Sequence, residues 1–203
     1  MSIVTLSDRG VRSVTTFGSV NAGSMVFIKK LTASSSSTLS FVDGSSSVVL
    51  DNTYKEYLFT FNNIHPSAST GFTFNMSTDS GSNYNVTKTT TFFRPYHSES
   101  GDSALGYVSS ADLAQSTAFQ LISGNNLSND NDSGLSGKLI LFNPSSTAFV
   151  KHFISTVNYQ GDDYSISPYV AGYGNTTSAV DAIQFKMESG TIDAGDICLY
   201  GIL

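Results

Sequence analysis

The sequence predicts an all-β protein, an antiparallel β-sandwich that is jelly-roll-like and follows an N-terminal extended arm. Three observations predict this class. Apolar and polar residues alternate in many short segments, as they do in strands with one buried face. About ten to twelve such segments are separated by clusters of Gly, Asn, Asp and Ser, which favour turns. Helical periodicity is almost absent, and no repeat of about 20–50 residues is visible.

The alternation is clearest in "YKEYLFTFNNIHPS", where Tyr57, Phe59 and Phe61 share one face. The same pattern in "AIQFKMES" places Ile183 and Phe185 on one face of a half-buried strand. Proline removes a ladder donor and restricts the residue before it, so "NNIHP" is predicted to end the first of these strands.

The segment "GKLILFNPSS" is apolar on both faces, with Leu139 and Leu141 on one and Ile140 and Phe142 on the other. A strand of this kind is typical of the centre of two packed sheets. It is predicted to stop at the turn signal "NP". The further predicted strands are "MVFIKKL", "TLSFV", "SVVLD", "GFTFNM", "TTTFFRP", "AFQLIS", "AFVKHFISTV", "SISPYVAGY" and "DICLYGI".

Three regions depart from the strand pattern. Only "SSADLAQS" predicts one or two helical turns, with Ser110 as the N-cap and Asp112 in the first turn. Residues 1–24 are weakly patterned and are interpreted as an arm for docking and assembly, followed by a single β-sandwich domain over residues 25–203. Residues 123–136, "SGNNLSNDNDSGLS", predict a polar loop long enough to be mobile or bound to a partner.

The composition predicts a surface with few charges. Charged residues make up 13% of the chain, about half the usual ~25%, and hydrophobic residues make up 39%. A surface solvated by hydroxyls and amides suits packing into an assembly, and it also suits secreted β-proteins. The net charge is −6, and the basic residues are scattered, with only Lys29 and Lys30 adjacent. Nucleic acid is therefore not an expected partner.

Cysteine usage and the absence of targeting patterns bear on location. Cys198 is the only cysteine, so no disulfide can form within the chain, and it is interpreted as an inert strand thiol. The start, "MSIVTLSDRG", lacks the pattern of a signal peptide, and no apolar run approaches the ~20 residues of a membrane helix. We expect synthesis and folding in a cytoplasm, with no membrane partner.

The acidic segment "NDNDSG" is the candidate for a metal site. Asp130, Asp132 and Gly134 loosely follow the first part of an EF-hand loop. The terminal acidic ligand of that loop would fall in apolar "KLILF", so a solvated turn is the favoured interpretation and calcium the alternative. Asp162 and Asp163 form a second acidic pair, which as adjacent carboxylates on a loop are expected to repel each other.

The three histidines, His65, His97 and His152, lie far apart and have no metal-ligand spacing. His65 is interpreted as part of a strand terminator, His97 as a strand-end residue without a nearby acid, and His152 as a strand residue pointing away from Phe153. The chain has no G-x-S-x-G elbow, no phosphate-binding glycine loop and no evident catalytic carboxylate pair. We therefore predict no catalytic residue, no cofactor and no metal, and a protein that is not an enzyme.

Aromatic residues point to contact surfaces. Most of the fourteen Phe and ten Tyr are expected in the core, but several tyrosines are predicted at strand ends or in polar loops. Tyrosine beside Asn, Asp and Ser is typical both of subunit interfaces and of glycan-binding surfaces, and the interface is favoured. These tyrosines are Tyr84, Tyr107, Tyr159, Tyr164 and Tyr173.

Several segments resemble a known family. They are "YKEYLFTFNNIHPS", "IKKLTASSSSTLSFVDG", "STDSGSNYNVTKTTTF", "LSGKLILFNPSSTAFVKHF" and "VAGYGNTTSAVDAIQFKMESGTIDAGDICLYGI". Together they look like a family of tailed-bacteriophage virion proteins, frequent in phages of aquatic bacteria including cyanophages. The resemblance runs from about residue 25 to the C-terminus and leaves out the arm. It implies a structural place in the virion and no catalytic residue.

The resemblance and the composition lead to two functional expectations. The first is a capsid decoration or cement protein that forms a homotrimer and contacts the major capsid protein, or a tail or connector protein, through its arm. The alternative is a tail or head fibre domain that adsorbs to host-surface glycan. A polysaccharide-cleaving enzyme is a third and disfavoured class. The expected location is the virion, after synthesis in the cytoplasm of a bacterial host.

Overall fold

The computed structural model describes residues 24–203, which form an all-β antiparallel sandwich. The predicted fold class is confirmed. The predicted arm lies outside the described residues except for Ser24. The strands of the described region are β1 (Met25–Thr32), β2 (Leu39–Val42), β3 (Glu56–Pro66), β4 (Phe72–Ser77), β5 (Lys88–Ser98), β6 (Ser103–Tyr107), β7 (Gln120–Leu121), β8 (Leu135–Phe142), β9 (Lys151–Gly161), β10 (Tyr164–Ile166), β11 (Tyr169–Gly174), β12 (Ala182–Met187) and β13 (Ile192–Ile202).

The strands form one nine-stranded and one four-stranded sheet. The larger sheet has the order β1-β13-β3-β8-β9-β10-β5-β11, with β6 added to β5 and β11 also paired with β9. The smaller sheet has the order β2-β12-β4-β7. The chain passes from one sheet to the other between β1 and β5, and again around β7 and around β12. Such crossings between two antiparallel sheets are typical of jelly-roll-like sandwiches. Within residues 24–203 there is no helix with the length and apolarity that a membrane span requires.

Phe185 of β12 lies at the centre of the core between the two sheets. Its side chain is fully buried, and its ring lies 5.3 Å from Phe61, 5.5 Å from Phe59 and 5.9 Å from Phe72, measured between centroids. The contacts with Phe59 and Phe61 of β3 join the small sheet to the middle of the large one. The predicted inward face of β3 is confirmed, because Tyr57, Phe59 and Phe61 are all buried.

Strand β8 differs from its prediction. Leu139 and Leu141 are buried in the sandwich, but Ile140 and Phe142 lie half-exposed on the outer face of the large sheet. No second sheet covers them within residues 24–203. The apolar outer positions therefore belong to a surface of the protein.

The predicted helical turns at "SSADLAQS" are wrong. Residues 109–111 form a turn, and the following chain pairs with β5. The backbone N–H of Thr90 donates to the carbonyl of Leu113 (2.9 Å), and the Leu113 N–H donates to the Thr90 hydroxyl (2.8 Å). These bonds to a neighbouring strand replace the bonds of a helix. Ser110 and Asp112 therefore do not cap a helix.

The predicted strand at "SVVLD" is also wrong. Val48 and Leu50 are buried, but their backbone groups bond locally, the Leu50 N–H to the Asp43 carboxylate at 2.8 Å. The predicted strand "SISPYVAGY" is divided at Pro168 into β10 and β11. The predicted end of β3 at Pro66 is confirmed.

The loop at residues 123–136 is anchored rather than free. Leu127 is buried and exchanges backbone hydrogen bonds with Thr70, and the Ser128 N–H donates to the carbonyl of Gln160. Inside the loop, Asn126 accepts a hydrogen bond from the Tyr159 hydroxyl at 2.8 Å. Backbone hydrogen bonds thus hold the predicted polar loop to the sandwich, and its tip around Asp130–Asp132 is exposed.

Candidate functional site

The outer face of the nine-stranded sheet carries an uninterrupted row of uncharged, largely apolar side chains. Residues directly opposite one another on successive strands form this outer apolar row. Each lies on the face opposite the core, and Phe27 and Ile154 are 57% and 50% exposed. The row consists of Phe27, Tyr200, Leu58, Ile140, Ile154 and Ala171.

A second group of aromatic residues extends this face toward β6. The rings of Phe93 and Tyr169, on β5 and β11, stack at 5.1 Å with an angle of 6°. Tyr107 of β6 lies opposite Phe93, is 56% exposed, and donates its hydroxyl to the carboxylate of Asp112. All these residues expose apolar surface to solvent.

The apolar face is large for a surface feature. It spans the eight strands from β1 to β6. At about 4.8 Å between strands, the outer apolar row is roughly 34 Å long, and the rows beside it contain the exposed charged residues Lys30, Lys138 and Glu56. Apolar patches of more than a few hundred Å² mark interaction sites in soluble proteins. This face is therefore the strongest candidate for an interface.

A polar groove lies at one end of the same face and consists of two clefts. Asn158 and Gln160, which point outward from β9, form a wall common to both. The larger cleft has a volume of about 650 Å³ and the smaller about 410 Å³. The larger one is lined by Asn63, His65, Asn131, Asp132, Ser133, Gly134, Ser136, Asn158, Gln160, Asp193 and Ala194. The smaller one is lined by His97, Ser98, Glu99, Asn158, Tyr159, Gln160, Asp163, Tyr164 and Ser165.

The bulged ends of β3 and β13 shape the floor of the larger cleft. The pairing register shifts between Phe61 and Ile64, and again around Ala194. Asn63 adopts a left-handed conformation with φ of 50°. Gly195 (φ 111°) lies so close to the Asn63 carbonyl that an added Cβ would come within 2.5 Å of its oxygen. Bulges of this kind re-aim side chains beside functional sites.

His65 lies in the wall of the larger cleft. Its Nδ1 is 3.7 Å from the Asp193 carboxylate and its Nε2 is 3.1 Å from the backbone carbonyl of Asp130. It thus connects β13 to the acidic loop, through the Asp130 carbonyl rather than the carboxylate. The prediction gave it only the role of a strand terminator.

The other two histidines are separate from His65. His97 is exposed at the rim of the smaller cleft. His152 is exposed on the outer face, where its ring lies 6.1 Å from that of Tyr173. As predicted, His152 points away from buried Phe153. The histidines form no shared cluster.

The predicted tyrosines do not converge on one surface. Tyr164 enters the smaller cleft, with its ring 5.6 Å from Tyr96, and Tyr107 and Tyr173 lie on the outer face. Tyr84 is half-buried between β4 and β5 and accepts a hydrogen bond from Asn75 at its carbonyl. Tyr159 is 1% exposed, so its predicted role as a surface contact is wrong. Burial raises the pKa of its hydroxyl.

The acidic candidates do not assemble a metal centre. Within residues 24–203 no three Asp, Glu, His or Cys side chains are grouped as metal ligands. Asp130 and Asp132 are exposed at the loop tip, and Asp162 and Asp163 form the exposed turn between β9 and β10. Cys198 is half-buried on the outer side of β13.

Two buried lysines lie on either side of β11. Lys88 and Lys151 are fully buried and both pair with Gly174. The Lys88 ammonium donates to the Asn75 side chain (2.5 Å) and to the Val86 carbonyl (2.7 Å). Burial lowers the pKa of Lys88 to about 7 and also lowers that of Lys151. Neither forms an ion pair within the described part of the chain.

Comparison with known protein families, curated proteins and solved structures finds no match for this chain. Only the geometry of the chain itself therefore supports the candidate surfaces.

Proposed function

We propose that the protein is a structural component of a bacteriophage virion, a capsid decoration or cement protein that assembles as a homotrimer. The observation that carries this proposal is the outer apolar row, an exposed apolar face on an otherwise well-packed sandwich. The resemblance of the sequence to virion proteins supports the same role in the virion. The arm, residues 1–24, contacts the major capsid protein or a tail or connector protein in this proposal.

A second copy of the chain is the occupant that best fits the apolar face. The outer apolar row runs roughly 34 Å across the sheet, long enough to form the apolar centre of a standard protein interface of ~800 Å² per partner, with the polar and charged rows beside it as the rim. The outer apolar row contains no charged residue, so a surface of a neighbouring copy can pack on it without burying a charge of the row. Symmetric homo-oligomers are the commonest soluble assemblies.

The charge-poor surface agrees with dense packing among identical copies. Only 13% of residues are charged, and only two ion pairs occur within residues 24–203. One of these pairs, Lys30 with Asp196, lies beside the outer apolar row on β1 and β13. Charges at the edge of an apolar interface affect orientation and association rate more than affinity.

The alternative is a tail or head fibre domain, which requires the same trimeric sandwich. The two roles differ in copy number, because a decoration protein follows the many positions of the capsid lattice and a fibre occurs only at a few sites. Quantitative gel densitometry of purified virions, scaled to the major capsid protein, separates them. We expect many copies per particle. A few copies would contradict the decoration role, and absence from mature particles would contradict both.

A further inference from the structure

We propose that the polar groove binds a neutral oligosaccharide, whose hydroxyls donate hydrogen bonds to acceptors on Asn158, Gln160 and Asp132. The groove lies about four residues along β9 from the outer apolar row. The inference does not depend on the proposed virion role.

The groove offers acceptors more than donors. The Asn158 amide nitrogen donates to the hydroxyls of Ser165 (3.1 Å) and Ser167 (3.0 Å), and the Gln160 amide nitrogen donates to the carbonyl of Asp162 (3.1 Å). Their side-chain amide oxygens accept no hydrogen bond from residues 24–203, and neither does the Asp132 carboxylate. A ligand that fills this groove must therefore donate, as sugar hydroxyls do.

The charge of the groove selects against anions. Asp132 and Asp193 line the larger cleft, and Glu99 and Asp163 line the smaller one. Among the described residues neither cleft is lined by Lys or Arg. Phosphorylated, sulfated or uronate-rich polymers would place like charges beside these carboxylates, which disfavours their binding.

Ser133 gives independent evidence of a missing ligand. It lines the larger cleft, is 8% exposed, and its buried Oγ has no hydrogen-bond partner within the described region. A buried hydroxyl without a partner is unfavourable, and nearly all such groups in native proteins are satisfied. A rotation of the Ser133 hydroxyl toward the cleft would let a bound hydroxyl compound supply the partner.

The shape of the groove fits a chain of sugars better than a single one. Both clefts fall within the usual volume range of ligand sites. They lie side by side, because Asn158 and Gln160 line both of them. Tyr164 provides a half-buried aromatic ring in the smaller cleft, against which the apolar face of a sugar ring can pack. His65 and the bulged ends of β3 and β13 fix the opposite side.

Nuclear magnetic resonance titration of the full-length, isotope-labelled protein tests this inference. The probes are maltohexaose, cellohexaose, mannohexaose and chitohexaose as neutral sugars, oligogalacturonate as the anionic sugar, and calcium chloride as the metal. We expect saturable shifts with at least one neutral sugar at millimolar concentration, centred on Asn158, Gln160 and Tyr164. Oligogalacturonate is expected to bind more weakly.

The Asp132→Ala variant provides the specific test. Asp132 is exposed and its side chain makes no hydrogen bond within residues 24–203, so folding is preserved and the affinity for the sugar falls about tenfold or more. Asp102→Ala is the matched control, because Asp102 is also an exposed carboxylate but lies outside the groove. The inference is overturned by no response to any neutral sugar, a response to calcium or oligogalacturonate alone, shifts outside the groove, or equal weakening by the control.

Discussion

Buried Lys88 gives the protein a pH dependence of stability that its replacement by Met would remove. The folded protein holds this lysine in a site without a carboxylate, where its pKa is about 7. The unfolded chain holds the same proton up to its ordinary pKa near ~10.4. Between those two values the unfolded state binds more protons, so the free energy of unfolding rises with pH.

The size of this effect follows from the difference between the two pKa values. A gap of about 3.4 units corresponds to about 4–5 kcal/mol over the whole range, and about 2–3 kcal/mol of this lies between pH 8 and pH 10. Below pH 7 the contribution is constant. Methionine does not titrate, so in Lys88→Met this proton is absent from both the folded and the unfolded state. The other titrating groups contribute equally to the pH dependence of the variant and of the wild type. From pH 8 to pH 10 the free energy of unfolding of the wild type should therefore rise by about 2–3 kcal/mol relative to that of the variant.

Urea denaturation followed by tyrosine fluorescence at a series of pH values measures this difference. Lys55→Met is the control, because Lys55 is exposed. The control should differ from wild type by an amount that does not change with pH. A wild-type minus Lys88→Met difference that stays flat from pH 8 to pH 10 would refute the reasoning, because Lys88 would then keep its proton in the folded state.

Two further predictions concern the core and the bulged backbone. Phe185→Ala should lower the free energy of unfolding by about 3–5 kcal/mol, because it leaves a cavity among the central rings, whereas Phe149→Ala, at a 72% exposed ring, should change it by less than about 0.5 kcal/mol. Equal urea midpoints for the two variants would contradict the placement of Phe185. Gly195→Ala should destabilise the protein by at least ~1–2 kcal/mol more than Gly44→Ala, since both have positive φ but only the first would push a Cβ against the carbonyl of Asn63. Thermal unfolding compares the two, and equal losses would mean that the close approach at the bulge is not tight.

The sequence was sufficient to predict the core because strand periodicity has a direct physical cause. Tyr57, Phe59 and Phe61 alternate with more polar residues, and only one register buries all three. The proline that ends β3 was likewise predictable, since it lacks a ladder donor. Local chemistry determines both features.

The outer apolar face was visible in the sequence but was assigned to the wrong environment. The pattern of "GKLILF" indicated two apolar faces, and the prediction covered both with sheets. The second apolar face of such a strand can be buried by another sheet of the same protein or exposed for a partner. The sequence pattern is the same in both cases. Only the register, which aligns Ile140 with Leu58 and Ile154, shows that the apolar positions form a continuous surface.

The polar groove could not have been predicted from any local motif. Its walls come from β3, β9, β13 and the loop at residues 123–136, so His65, Asp132 and Asp193 are brought together only by folding. The polar composition of this loop predicted neither the burial of Leu127 nor its two backbone bonds with Thr70. Tyr159 was predicted on the surface for a related reason. Its hydroxyl can be buried because it donates a hydrogen bond to Asn126 of this loop.

The oligomeric mass of the purified protein, measured by native mass spectrometry for wild type and for Ile154→Lys, tests the role of the outer face most directly. We predict that the wild type has three times the chain mass of 21.6 kDa. Placing a charge in the middle of the interface should weaken assembly by about 2–4 kcal/mol, or roughly 30- to 700-fold in the dissociation constant, leaving a folded monomer. Phe149→Lys, which adds a charge outside the outer apolar row, should remain a trimer. A wild type with the mass of a single chain, or an Ile154→Lys variant that assembles like the wild type, would contradict the account.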